Sequence, residues 1–253
     1  MILQKHNTSI QQPVYVTAVF AFLLLFSNTL FGQAETPKLT ITPLTDDFYV
    51  YTTYKDLDGK PFPSNSMYVV SDKGVILIDT PWDESDFQPL LDSIYKRHQK
   101  KVVLCIATHF HDDSSAGLDY YKKHGIPTYT SKLTHELSVQ EGNAKAAYHF
   151  EKDTVFTVGN KKFETFYPGA GHTQDNIVVW FEKEKVLYGG CLIKSTENND
   201  LGYTGDADID AWEGTMKKLI NKYPKPSYVI PGHFAWGSPK ALQHTLKLVK
   251  KKR

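Results

Sequence analysis

Apolar and polar positions along the chain switch between a period of two and a helical period, and the switches mark its elements. Residues 38–54 alternate loosely and carry Phe48-Tyr49-Val50-Tyr51, which predicts edge strands. Residues 55–64 (KDLDGKPFPS) are dense in turn formers and read as a mobile hairpin loop with Leu57 and Phe62 at its tip. Met67 to Val70 and Val75 to Ile78 form a hairpin about Ser71-Asp72-Lys73-Gly74, ending in Asp79-Thr80-Pro81-Trp82. From Glu84 to Lys100 the apolar residues Phe87, Leu90, Leu91, Ile94 and Tyr95 fall at helical spacing. The unbroken run Val102-Val103-Leu104-Cys105-Ile106-Ala107 then reads as a buried strand.

The second half repeats the scheme. Ser114 to His124 predicts a helix stopped by Gly125, Ile126 to Thr130 a short strand, and Lys132 to Glu141 a helix stopped by Gly142. Thr154 to Val158 and Lys162 to Tyr167 pair around Gly159-Asn160, and Asn176 to Phe181 and Lys185 to Tyr188 around Glu182-Lys183-Glu184. Ala211 to Tyr223 is helical, Ser227 to Ile230 a strand, and Ser238 caps a last helix through Lys252. Strands followed by helices, twice over, predict an α/β four-layer αβ/βα sandwich: two mixed β-sheets packed together with helices outside.

The amino terminus does not belong to that fold. Lys5 precedes an apolar run from Ala18 to Phe26, then Ser27-Asn28-Thr29 and the small-x-small ending Gly32-Gln33-Ala34, which together read as a secretory signal peptide over residues 1–34. The run is shorter than the roughly 20 residues a membrane span needs. The segment has no Cys for a lipid, so the expected mature chain, residues 35–253, is a single exported domain in the periplasm without a membrane anchor. Lys plus Arg number 29 and Asp plus Glu 28, and Lys5 is the only charged residue of the leader, so the mature chain balances at zero and shows no nucleic-acid footprint. The basic residues of the last seven positions suit a solvated final helical turn. No long apolar surface stripe is apparent, which makes a monomer the default.

Chemistry concentrates where strands end. Thr108-His109-Phe110-His111-Asp112-Asp113 directly follows the buried run, and the carboxyl end of a strand is where open α/β sheets place their sites. Alone, that string is compatible with ordinary loop composition. Gly171-His172-Thr173, Gly190-Cys191 and Pro231-Gly232-His233 add three further strand-to-loop junctions, each with a ligand type that zinc accepts. His109, His111 and His172 would complete one site with a position left for water, and Asp113, Cys191 and His233 a second. Cys105 and Cys191 are the only cysteines. Cys105 lies about 13 Å down the strand from His109, at roughly 3.3 Å per residue. It therefore reads as a small core residue, and Cys191 as a metal-bound thiolate. Asp79, at another strand end, is a turn cap or an acceptor for a ligating imidazole. His98, His124, His135, His149 and His244 read as surface residues without a role.

These pieces resemble the class B metallo-β-lactamases of subclass B1, from about Leu39 to the carboxyl end. The matching segments are residues 77–82 (LIDTPW), 108–113 (THFHDD), 169–176 (GAGHTQDN), 189–195 (GGCLIKS), 205–208 (GDAD) and 231–233 (PGH). Superfamily relatives such as thiolesterases and lactonases carry a second His after the aspartate and a bridging Asp. Here Ser114 follows Asp113 and Cys191 stands at the bridging position, which separates this chain from them.

The resemblance implies a periplasmic hydrolase with two Zn2+ ions that opens the β-lactam ring of penicillins, cephalosporins and carbapenems. It assigns His109, His111, His172 and Asp113 to catalysis, all six junction residues to metal, and Lys194, Trp82 and Tyr203 to substrate. Lys194 would pair with the carboxylate these antibiotics share. Tyr203 replaces an Asn common in the subclass, which removes a candidate oxyanion donor, and Ser114 replaces a common Arg, which removes a charge beside the second metal. A hydrolase of another ester, thioester or lactone, or an exported zinc-binding protein without catalysis, are the rival readings.

Overall fold

The computed structural model describes residues 39–252; the expected leader, residues 1–34, lies outside the described residues. The chain first builds an antiparallel meander, β1 (Thr40–Thr45), β2 (Phe48–Leu57), β3 (Lys60–Ser71) and β4 (Gly74–Ile78). A 3-10 turn at Glu84–Asp86 leads into α1 (Phe87–His98), which returns the chain to β5 (Val102–Ile106), parallel to β4. Two short helices follow, α2 (Asp112–Ser115) and α3 (Leu118–Lys123). Then come β6 (Thr128–Ser131), α4 (Lys132–Glu141) and β7 (Tyr148–Phe150), and the seven strands form one mixed sheet in sequence order.

The second sheet has the order β12-β11-β10-β9-β8. Its members are β8 (Val155–Val158), β9 (Lys161–Phe166), β10 (Val178–Phe181), β11 (Val186–Gly190) and β12 (Tyr228–Pro231), with α5 (Ile209–Lys222) before β12 and α6 (Lys240–Lys252) after it. Pairing is antiparallel except between β11 and β12. It follows that β9, β11 and β12 all run in one direction and deliver their loops to one edge.

The layers are fixed by which faces are apolar. Phe48, Val50, Met67, Val69, Ile76, Ile78 and Ile106 of the first sheet meet Phe163, Val179, Phe181, Val186, Tyr188 and Ile230 of the second in one dry core. The outer face of the first sheet, with Tyr68, Leu77 and Cys105, is covered by Phe87, Leu90 and Ile94 of α1 and by Leu118 and Tyr121 of α3. The outer face of the second, with Val178, Leu187 and Val229, is covered by Trp212, Met216 and Leu219 of α5 and by Leu242, Leu248 and Val249 of α6. Burial of each such large side chain contributes about 1.5–3 kcal/mol. This is the expected four-layer sandwich.

Local departures have local causes. Residues 55–64 are not a loop: β2 and β3 pair to the tip, with Leu57 opposite Lys60 across Asp58-Gly59. Both turn residues have positive φ, 55° and 76°, as a two-residue turn of the primed type requires. Pro61 and Pro63 fit because the pair flanking such a turn exchanges hydrogen bonds, so both prolines occupy the alternate, non-bonded pairs. The expected helix over Ser114 to His124 is broken between α2 and α3, where a Cβ on Gly117 would lie 3.0 Å from Thr80 and 3.1 Å from Tyr121. His98 is half-buried, its Nε2 3.0 Å from the Tyr68 hydroxyl, rather than a surface residue.

Candidate metal centre

Four loops bring the expected residues to one place. His109 and His111 lie between β5 and α2, Asp113 in the first turn of α2, His172 between β9 and β10, Cys191 immediately after β11 and His233 after β12. The ring centroids of His109, His111 and His172 are 5.0, 5.3 and 5.1 Å apart pairwise. Asp113 Oδ2 lies 3.2 Å from Cys191 Sγ and 3.2 Å from His233 Nε2, and Cys191 Sγ lies 3.3 Å from His233 Nε2. Asp113 Oδ1 is 3.4 Å from His109 Nε2 and joins the two groups. The last approach depends on Gly232, where a Cβ would come within 2.5 Å of Cys191 Sγ.

The donor set fits a cation. His109 Nε2, Asp113 Oδ1 and His172 Nδ1 are buried without a hydrogen-bond partner, and each such orphan costs about 1–3 kcal/mol in an otherwise satisfied interior. One ligand atom from each of His109, His111 and His172 lies within 4.8 Å of the others, and the same holds for His109, Asp113 and Cys191. His109 thus neighbours both clusters, while His233 reaches the second through Asp113 and Cys191.

Outer partners fix the imidazoles. Asp206 Oδ2 lies 2.9 Å from His111 Nε2, and the Pro63 carbonyl 2.8 Å from His233 Nδ1. A proton on each of those nitrogens leaves Nδ1 of His111 and Nε2 of His233 as lone pairs for a metal. Neither partner is legible from local sequence: Asp206 is 95 positions from His111, and a carbonyl has no side-chain signature.

Electrostatics tell the same story. Burial disfavours the charged Asp113 carboxyl, but His109 and His233 hold it well below the usual carboxylate range. Burial also disfavours a charged His109, yet Asp113 against it raises its pKa. His172 is pushed well down by burial and by Lys194, so it is a neutral imidazole. Burial and the Asp113 carboxylate push the Cys191 thiol well up, so binding a cation there must displace its proton.

Asp79 gathers one backbone N–H and three hydroxyls rather than an imidazole or a helix end. Its Oδ1 accepts from Thr108 N (2.6 Å) and Ser114 Oγ (2.5 Å), and its Oδ2 from Thr108 Oγ1 (2.8 Å) and Tyr188 OH (2.6 Å). Ser114 therefore ties the loop carrying His109, His111 and Asp113 to β4. Cys105 and Cys191 are both buried and free.

The centre floors a cavity of about 560 Å³. Trp82 and Phe62 stand at one wall with ring centroids 6.3 Å apart, and Phe62 also covers His233 at 5.0 Å. Lys194 is 5% exposed and its Nζ lies 5.4 Å from the Trp212 ring centroid. Tyr203 also lines the cavity, 64% exposed, its ring 5.9 Å from that of His111. Its phenol pKa is raised by the hydrogen bond and charge of Asp206, which lines the same cavity.

The family profile described as Metallo-beta-lactamase superfamily matches residues 59–233. A metallo-beta-lactamase type 2 of Elizabethkingia meningoseptica is 46% identical over 219 residues, covering 87% of this chain and 88% of that protein. The chain belongs to the class B1 metallo-β-lactamases. Metallo-beta-lactamase IND-1 of Chryseobacterium indologenes is 40% identical over 232 residues, 91% of this lactamase and 97% of that one. A solved metallo-beta-lactamase from Pontibacter korlensis superposes with a TM-score of 0.82 at 36% identity, covering 84% of this chain and 99% of that chain. Family membership implies zinc, and the lactamase offers it the donor set described above.

Proposed function

We propose that this chain is a periplasmic β-lactamase holding two Zn2+ ions, exported by the leader at residues 1–34, that opens penicillins, cephalosporins and carbapenems. The observation that carries the reading is the convergence of His109, His111, His172, Asp113, Cys191 and His233 beneath one cavity, which His111, His172, Asp113 and His233 line together with Lys194. His109, His111 and His172 would hold one ion, and Asp113, Cys191 and His233 the other. Zinc so bound supplies Lewis-acid polarisation of a carbonyl and lowers the pKa of water to about 7.

The chain's own residues do the rest. Lys194, buried beside the floor, is a cation without an anionic partner within ion-pairing distance among the described residues, and it binds the substrate carboxylate. Phe62, Trp82 and Leu57 form the apolar wall for the acyl substituent. Tyr203 lines the cavity beside His111, and Asp206 keeps His111 in one tautomer. In hydrolysis the water oxygen ends on the lactam carbonyl carbon, the C–N bond breaks, and a proton ends on the nitrogen. Asp113, which lines the cavity, is the carboxylate placed to hold that proton in transit.

Turnover of a penicillin, a cephalosporin and a carbapenem is measured beside that of an acyl thioester, with zinc content determined on the same sample. Fast lactam opening with two zinc ions per chain is expected. Preference for the thioester would replace the substrate assignment, and bound zinc without turnover would leave a binding protein.

A further inference from the structure

His233 lies in a segment, residues 231–234, that follows β12 and is not itself part of a helix or strand beyond Pro231. Phe234 has a positive φ of 62°, a conformation that non-glycine residues hold only under outside constraint. The constraint comes from β3. Asn65 N donates to the Gly232 carbonyl (2.7 Å), and Asn65 Nδ2 donates to the carbonyls of Pro231 (3.2 Å) and Phe234 (2.7 Å). The amide cannot turn over, because the Pro231 and Phe234 carbonyls only accept and a flip would face them with Oδ1; Thr52 Oγ1 meets that oxygen at 2.9 Å on the other side. Tyr188 OH lies 3.0 Å from the remaining polar atom, the Asn65 carbonyl oxygen. Asn65 is 2% exposed, and its backbone N–H and both polar atoms of its amide are engaged, three of the contacts with the residues flanking or preceding His233.

We propose that Asn65 is a positioning residue for His233. It grips the backbone on both sides of the imidazole while the Pro63 carbonyl, two residues earlier on the same strand, orients the ring from Nδ1. The clamp acts through backbone, so Asn65 touches neither substrate nor ion. Its effect is to hold His233 Nε2 within reach of Asp113 and Cys191, and its loss weakens the hold on the cation those three share. The proposal rests on His233 being a metal ligand, as argued above.

The test is a zinc titration of metal-depleted Asn65→Ala and Asn65→Asp against the parent, read by chelator competition, with unfolding midpoints and the cobalt-thiolate absorption of Cys191 measured in parallel. Asn65→Asp is nearly isosteric and turns two donors into acceptors facing two carbonyls. The expected result is about ten- to hundredfold weaker retention of the cation at Asp113, Cys191 and His233, the range typical for outer-sphere partners. Retention at the three-imidazole set is expected to be unchanged, and activity to recover in excess zinc. Equal retention of both ions in the variants and the parent would overturn the proposal. Should both variants fail to fold, Thr52→Val, which strips Asn65 Oδ1 of its partner and loosens the clamp, decides it by the same titration. If the parent itself shows no cobalt-thiolate band, the metal assignment fails instead.

Discussion

At the residue scale the centre is a set of groups that would be poorly satisfied without a cation, and the cost identifies what each does. Cys191 carries a thiol that burial and Asp113 push well up, so zinc entering its site must release that proton. Calorimetry of zinc binding in two buffers of different ionisation enthalpy should therefore report net proton release near neutral pH, and retention of that ion should weaken as pH falls. Cys191→Ala should lower zinc content by one ion per chain, read by elemental analysis, and abolish most activity. Lys194→Glu should leave zinc content unchanged and raise KM by about ten- to hundredfold, the equivalent of a charge-assisted hydrogen bond of about 1.5–3 kcal/mol.

The side chains of the centre were legible because each interrupts an apolar strand end with a borderline-soft or carboxylate ligand. Their orienters were not. The Pro63 carbonyl, Asp206 and Asn65 act through contacts between distant segments, and nothing in their local sequence marks them. Ser114 read as the loss of a charge, whereas it forms a link in the hydrogen bonds around Asp79.

At the element scale the β2–β3 hairpin does two jobs. Its tip brings Leu57 and Phe62 to the cavity, and its base holds the segment carrying His233. Phe62→Ala should keep both zinc ions, since no ligand is removed, but raise KM for substrates with bulky acyl groups about tenfold. That corresponds to about 1.4 kcal/mol, below the 1.5–3 kcal/mol of a fully buried aromatic because Phe62 is only half-buried. Steady-state kinetics on β-lactams with small and large acyl groups check it.

Two prolines and several polar residues made this hairpin look irregular, although Asp58-Gly59 is a strong turn signal within it. The pattern of turn formers was visible; the pairing that tolerates Pro61 and Pro63 depends on register, which composition does not carry. The split between α2 and α3 is similar, since Gly117 is required by the nearness of Thr80, a residue 37 positions away. The short, continuously apolar strands β4, β5 and β11, buried along nearly their whole length, were the easiest to place.

At the scale of the whole molecule, the six candidate ligands come from loops of both sheets. His109, His111 and Asp113 follow β5 of the first, while His172, Cys191 and His233 belong to loops of the second. Removing zinc should therefore lower the thermal unfolding midpoint of the entire domain. A ligand at a hundred times its Kd stabilises by about 2.7 kcal/mol, well above the resolution of a thermal melt.

Hydrolysis of imipenem by the purified mature chain, followed by loss of lactam absorbance with and without EDTA and after zinc is restored, tests the central claim most directly. Rapid opening that stops on chelation and returns with zinc is the predicted result. Full activity after thorough metal removal, or no lactam opening by zinc-loaded protein, would contradict it.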